Sequence, residues 1–207
     1  YEITYGDWSS DVCSSDLNGG SARGANAVAV GAVTMTHITA MASALSWMVL
    51  EWHHRGKPTV LGLASGAVAG LATSTAGAGF VGPMASILLG VIAGMASYLA
   101  IVWKGKIGYD DTLDVLGTHG VGGILGTLGV GLFASKALNA AGADGLFFGN
   151  SGQLGIQLVA VLATVAFSFV GTYVILKLID GGMGLRVSPE EEATGLDLTQ
   201  HNERAYS

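Results

Sequence analysis

Five apolar segments, residues 25–51, 59–76, 80–103, 112–134 and 152–179, occupy most of this 207-residue chain. Each approaches or exceeds the ~20 residues that a helix needs to cross a bilayer. The ten-residue alternation of a transmembrane β-barrel is absent from them. The expected fold class is therefore all-α, a polytopic membrane protein with five transmembrane helices. Composition agrees: half of the residues are hydrophobic and 12% are charged, against about a quarter charged in a soluble domain. Glycine, 33 residues in all, falls largely inside the apolar segments. It would weaken a soluble helix, but between membrane helices it permits close backbone approach. Gly62, Gly66 and Gly70 recur every four residues, as do Gly90 with Gly94 and Gly122 with Gly126. These read as packing ridges.

The loops orient the spans. His53, His54, Arg55 and Lys57 join the first two, and Lys104 and Lys106 join the third and fourth. Short basic loops stay on the cytoplasmic side. The loops near 75–82 and 135–151 then lie outside, and the tail after Asp180 lies inside, which gives a cell-membrane protein with a cytoplasmic C-terminus. Trp47, Trp52, Tyr98, Trp103 and Tyr173 fall near segment ends, as an interfacial belt of aromatics does. Residues 1–17 differ abruptly from the apolar remainder of the chain. They are rich in Ser and Asp and hold the only cysteine, Cys13, and four of the fifteen acids. The run from Gly6 to Leu17 resembles a translated sequencing adapter, so 1–17 is expected to be non-native, 18–180 a transmembrane domain and 181–207 a cytoplasmic tail. Leu185, Val187, Leu196 and Leu198 offer apolar anchors in that tail, and Ser188-Pro189-Glu190-Glu191 resembles a helix start.

One ionisable residue stands out. His119 lies in a glycine-rich apolar stretch. Counted from a helix start near Asp110, it falls ~14 Å into a ~30 Å core. Imidazole accepts on one nitrogen, donates on the other and carries a proton near neutral pH. Buried at such depth, it either faces a pore or cavity or bonds a neighbouring helix. Gly117, Gly120, Gly122 and Gly123 open space beside the ring, which favours the pore. Asp114 reads as bonding backbone groups at a broken helix start, with an inner-vestibule role as the alternative. Asp110 and Asp111 suit a helix N-terminus. His37, flanked by Thr34 and Thr36, reads as structural. No metal-ligand spacing, nucleophile elbow, phosphate loop or dinucleotide fingerprint is present. No basic footprint for nucleic acid appears either. An enzyme is not expected, and neither is a cofactor.

The stretch Asp110-Asp111-Thr-Leu-Asp114-Val-Leu-Gly-Thr-His119-Gly-Val-Gly-Gly123 resembles the signature of the Amt/Mep/Rh ammonium transporters. Asn18–Ser21, Glu51-Trp52 with Arg55–Thr59, Ser65–Leu71 and Gly184–Val187 with Glu190-Glu191 and Gly195–Asp197 resemble further family stretches, in order. The resemblance implies an eleven-helix inverted-repeat fold, of which this chain supplies helices seven to eleven, and a homotrimer with a pore in each protomer. It implies that His119 is one of two pore histidines and that Ser21 belongs to an outer ammonium-recruitment site. Asp111 and Asp114 become structural or vestibule acids. The resemblance further implies that ammonium is recruited outside, that ammonia crosses an apolar pore among lipid-facing helices, and that the tail meets a PII-type signalling protein. An ammonium sensor of the same fold and a non-conducting membrane scaffold are the alternatives. Leu116 and Thr118 stand where Phe and Val are frequent in the family.

Overall fold

The computed structural model describes residues 17–204, which contain helices and no strand. The reading of 1–17 as foreign therefore lies almost wholly outside the described residues. Five helices are long and apolar enough to cross a membrane. α1, Ala27–Arg55, starts where the Asn26 carboxamide accepts the Ala29 N–H at 3.0 Å, and stops at Gly56, whose φ of 78° suits glycine. It extends past the expected boundary at 51, carrying His53, His54 and Arg55 in its last turn, where cations meet the negative end of the helix dipole. α2 is Val60–Gly77, capped by Thr59. α3 is Pro83–Ile107, with proline at its first position and Gly108 ending it at φ 78°. α4 is Val121–Phe133, entered through a single π-helical turn, Leu116–Gly120. α5 is Ser151–Gly182. Two short helices follow in the tail, α6, Pro189–Thr194, and α7, Leu196–Thr199.

The chain divides into two compact units at Val161–Leu162, inside α5. In the first, α1 packs on α2 and α3, and α4 packs on α2 and α3. The glycine ridges are the seams. A Cβ on Gly70 would sit 2.7 Å from Ala40 Cα, and one on Gly90 would sit 2.5 Å from the Thr39 carbonyl oxygen. On α4, a Cβ on Gly122 would lie 2.9 Å from the Ala69 carbonyl oxygen, and one on Gly126 would overlap Thr73. Backbones meet at these points because lipid supplies no hydrophobic drive between helices; close packing and hydrogen bonds do that instead. One such bond runs from the Ser43 hydroxyl to the Gly66 carbonyl, 2.6 Å.

Two aromatics expected in an interfacial belt are core residues. Trp47 and Tyr98 are 4% and 3% exposed and meet edge to face, with ring centroids 5.6 Å apart, over Ala69. α1 runs on beyond 51, so Trp47 lies eight residues inside its end, and α3 runs on to Ile107, nine residues beyond Tyr98. Tyr98 also meets His54, hydroxyl to Nδ1, at 2.7 Å. Trp52 and Trp103 are exposed near helix ends.

Glu51 is 3% exposed. Its carboxylate accepts the Thr59 N–H at 3.1 Å and the Thr59 hydroxyl, and Arg55 lies 3.8 Å away. It ties the end of α1 to the start of α2. Removing one partner of a buried polar group costs about 1–3 kcal/mol, so Glu51→Ala is expected to destabilise the bundle by that amount. Glu51→Gln should cost less, since an amide oxygen can still accept. Unfolding midpoints in detergent micelles measure both, and equal midpoints for Glu51→Ala and the parent would show the tie to be idle.

In the second unit, Ser188 and Glu191 form a reciprocal cap. The Ser188 hydroxyl accepts the Glu191 N–H at 3.2 Å, and the Glu191 carboxylate accepts the Ser188 N–H at 3.0 Å. Gln200 then donates to Glu191 at 3.2 Å, drawing α7 back onto α6. Residues 189–194 and 196–199 of the tail are thus helical, as the helix-start sequence at Ser188 leads one to expect.

Candidate functional site: the turn that carries His119

The helix bearing His119 does not begin near Asp110. Residues 108–114 are not helical, and Asp114 holds a φ of 55°. That left-handed conformation is uncommon outside glycine, and aspartate is among the residues that tolerate it. Counting 1.5 Å per residue from Asp110 therefore gives no depth. Packing does. A Cβ on Gly117 would meet the Ile101 side chain at 2.5 Å, and Gly122 lies against Ala69. Ile101 sits six residues inside the end of α3, which is about 9 Å. Ala69 is the tenth of eighteen residues in α2. His119 lies between these levels, in the middle third of the bundle.

Four side chains build the turn. Both Asp111 oxygens are used, one accepting the Val115 N–H and the other the Leu116 N–H, each at 2.9 Å. The backbone capping expected of Asp114 thus belongs to Asp111. Asp114 instead pairs its carboxylate with the Lys104 ammonium, which also donates to the Asp111 carbonyl at 2.6 Å. The Asp114 carbonyl accepts twice from Thr118, from its N–H and its hydroxyl, each at 2.9 Å. The Thr118 hydroxyl in turn touches His119 Nδ1 at 2.8 Å. A hydrogen-bonded path therefore runs from the cation at the end of α3 to the imidazole.

The turn that follows this anchoring is π-helical. The Val121 N–H reaches back to the Leu116 carbonyl, five residues earlier, and such wide turns are found mostly at functional sites. Gly117 and Thr118 face inward and are buried, while His119 is exposed on the opposite side. Its Nε2 has no hydrogen-bond partner among the described residues.

Ser21 is elsewhere. It is exposed just before α1, its hydroxyl donating to the Leu17 carbonyl at 2.9 Å. Its neighbours dock on the first turns of α1: Asn18 donates to Thr36 at 3.0 Å, and a Cβ on Gly19 would meet Val33 at 2.6 Å. Ser21 and His119 thus occupy different levels, one at an end of the bundle and one in its middle. The sequence reading missed Thr118 and Lys104 as members of the site. A hydroxyl next to the histidine of that apolar stretch, and a lysine ten residues before Asp114, were the signals available.

Five membrane-length helices and glycine seams define a polytopic α-helical membrane protein. Residues 16–206 match the Ammonium Transporter Family. The chain is 46% identical over 191 residues to an ammonium transporter of Bacillus subtilis (strain 168), covering 92% of this chain and 47% of that one. Its structure is similar to that of Mep2 of Saccharomyces cerevisiae, with a TM-score of 0.81 and 33% identity over 86% of this chain and 41% of the other. It is also similar to a sensor Amt protein, with a TM-score of 0.80, 28% identity and coverages of 90% and 45%. The chain belongs to the Ammonium Transporter Family. It spans about half the length of the curated relatives it matches.

Proposed function

We propose that residues 18–180 form the C-terminal transmembrane part of an ammonium-transporting channel, with 181–207 as its cytoplasmic tail. The observation that carries this reading is His119, held at mid-depth by a dedicated turn and exposed on the outward face of the bundle. An imidazole there hydrogen-bonds a small polar permeant where the surroundings are apolar. Ammonium would be recruited at the outer end near Ser21 and lose a proton, and ammonia would pass His119. A bare cation in a low-dielectric pore is costly, whereas a neutral molecule is far less so. Asp111 and Asp114 hold the turn rather than meet the permeant. The reading needs no cofactor and no chemical transformation of substrate, so we take the chain to be a transporter and not an enzyme. Transporter sites lie between repeats, so the exposed face of His119 would be closed by the matching half. The assembly would be a homotrimer in the cell membrane. The basic residues ending α1 and α3 support a cytoplasmic C-terminus, available to a PII-type signalling protein.

The similarity to a sensor Amt protein favours one second reading, an ammonium-binding sensor of the same fold. One experiment separates the two. Residues 18–207 are fused behind the N-terminal half of the Bacillus subtilis relative and expressed in cells lacking ammonium transporters. Methylammonium uptake by the fusion, reduced at least about tenfold by His119→Ala, is the expected result. Residues 18–207 alone should give none. Binding without uptake would favour the sensor, and uptake unchanged by His119→Ala would make His119 a packing residue and leave the scaffold reading open to the chain.

A further inference from the structure

On the open face of the π-helical turn, Leu116 is 56% exposed and His119 is exposed three residues later, while Gly117 and Thr118 between them are buried. The Leu116 branch lies along the turn. A Cβ on Gly120 would fall 2.8 Å from Leu116 Cδ1 and 3.7 Å from its Cγ. Ordinary carbon–carbon contact is about 3.5–4.0 Å. The branch therefore occupies a notch that exists only because the residue after His119 is glycine.

The backbone around that notch is held on several sides. The Leu116 N–H donates to the Asp111 carboxylate at 2.9 Å, and the Leu116 carbonyl accepts the Val121 N–H. Behind it, Gly117 is pressed against Ile101 of α3, which a Cβ would meet at 2.5 Å. The freely movable part is the end of the Leu116 side chain, which can turn to another staggered position. We propose that Leu116, seated in the notch at Gly120, sets the width of the passage beside His119 and so decides how readily a permeant carrying an N-methyl group is admitted. The proposal rests on the transport reading and names the size selection made at that same site. His119 offers a hydrogen bond to ammonium and methylammonium alike, because both carry N–H groups. Discrimination between them then falls to the apolar wall, and a close-fitting wall separates permeants that differ by one carbon by about 10–200-fold.

The test moves the branch without altering the imidazole. The fusion protein is expressed in cells lacking ammonium transporters, and uptake rates of labelled methylammonium and labelled ammonium are taken as a ratio. Gly120→Ala places a methyl group in the notch and turns the Leu116 branch out onto the open face. It should lower the ratio about tenfold. Leu116→Ala alone removes the wall and should raise the ratio. In Gly120→Ala combined with Leu116→Ala no branch remains to be displaced, and the ratio should return at least to that of the parent. General damage to the turn would instead lower both rates together, leave the ratio in place and gain nothing from the second substitution. A Gly120→Ala ratio within about twofold of the parent's, or a fall that the double substitution does not reverse, would overturn the proposal. Should Gly120→Ala yield no protein at the membrane, Leu116→Ala decides alone, and an unmoved ratio there overturns the proposal as well. Failure of the transport reading looks different. It shows as a parent fusion without uptake, or with uptake indifferent to His119→Ala, and it removes the size filter too. A parent whose uptake depends on His119, with a ratio that Leu116 and Gly120 do not move, defeats the size filter only.

Discussion

Gly94→Val is expected to prevent assembly of the bundle, whereas Gly105→Ala, eleven residues along the same helix, should leave it as stable or slightly more so. A Cβ on Gly94 would overlap the Ser43 carbonyl oxygen and the Ser46 hydroxyl and lie 3.0 Å from the Ser43 carbonyl carbon, while one on Gly105 meets nothing. Ser43 is fully buried and donates to Gly66, so α1 cannot retreat from α3 without also leaving α2. Overpacking of this kind costs about 1–3 kcal/mol for small additions and more for larger ones. Gly94→Ala should therefore lower the unfolding midpoint, and Gly94→Val should leave little folded protein. At Gly105 the change removes a helix-weakening residue, a gain of up to about 1 kcal/mol. Unfolding midpoints in detergent micelles give the answer, and a Gly94→Ala protein as stable as the parent would show that the seam yields.

The second large effect is expected at Asp111. Its two oxygens satisfy two backbone N–H groups at the start of the turn. Asp111→Ala strands both donors. A stranded buried donor costs about 1–3 kcal/mol; these bonds lie at the exposed edge of the bundle, so water recovers part of that. Amide exchange at Val115 and Leu116 should rise by roughly tenfold, which is ~1.4 kcal/mol. Exchange at Gly126, deep in the α2–α4 seam, should not change. Asp111→Asn keeps one acceptor and should fall between. If the turn positions His119, methylammonium uptake by the fusion protein should fall with Asp111→Ala although Asp111 does not touch the permeant. Protection retained at both amides would show that another group caps the turn.

The fold was legible to the extent that hydropathy and glycine spacing record it. Spans needed only length, and each glycine ridge proved to be a seam because close approach requires the absence of a Cβ. Helix ends were less legible. His53, His54 and Arg55 look like loop residues by charge, yet the helix dipole accommodates them, and the burial of Trp47 and Tyr98 against each other was not legible from their places near the segment ends. The entry to α4 was misread for a related reason. Asp110 to Asp114 carry an N-terminal acid pattern, but which acid caps depends on Asp114 adopting a left-handed conformation, and no periodicity announces that. Thr118 stayed hidden because its contacts with the Asp114 carbonyl and with His119 Nδ1 depend on the geometry of the turn, which no spacing announces.

The wide turn at Leu116–Gly120 has a consequence for how such a sequence can change. A π-helical turn holds one residue more than an α-helical turn, and each residue advances an α-helix by about 100°. Deleting one residue between Leu116 and Gly120 would leave an ordinary helix of almost the same length and hydropathy. It would also rotate the imidazole by about 100° relative to Gly122, Gly126 and Gly129, which fix α4 against its neighbours. The glycine face and the histidine face are thus clocked against each other by a single extra residue. Substitutions along this stretch can be absorbed one at a time, but a length change cannot. An alignment gap placed here, invisible to any hydropathy plot, would be enough to mark a descendant that had kept the architecture and lost the site.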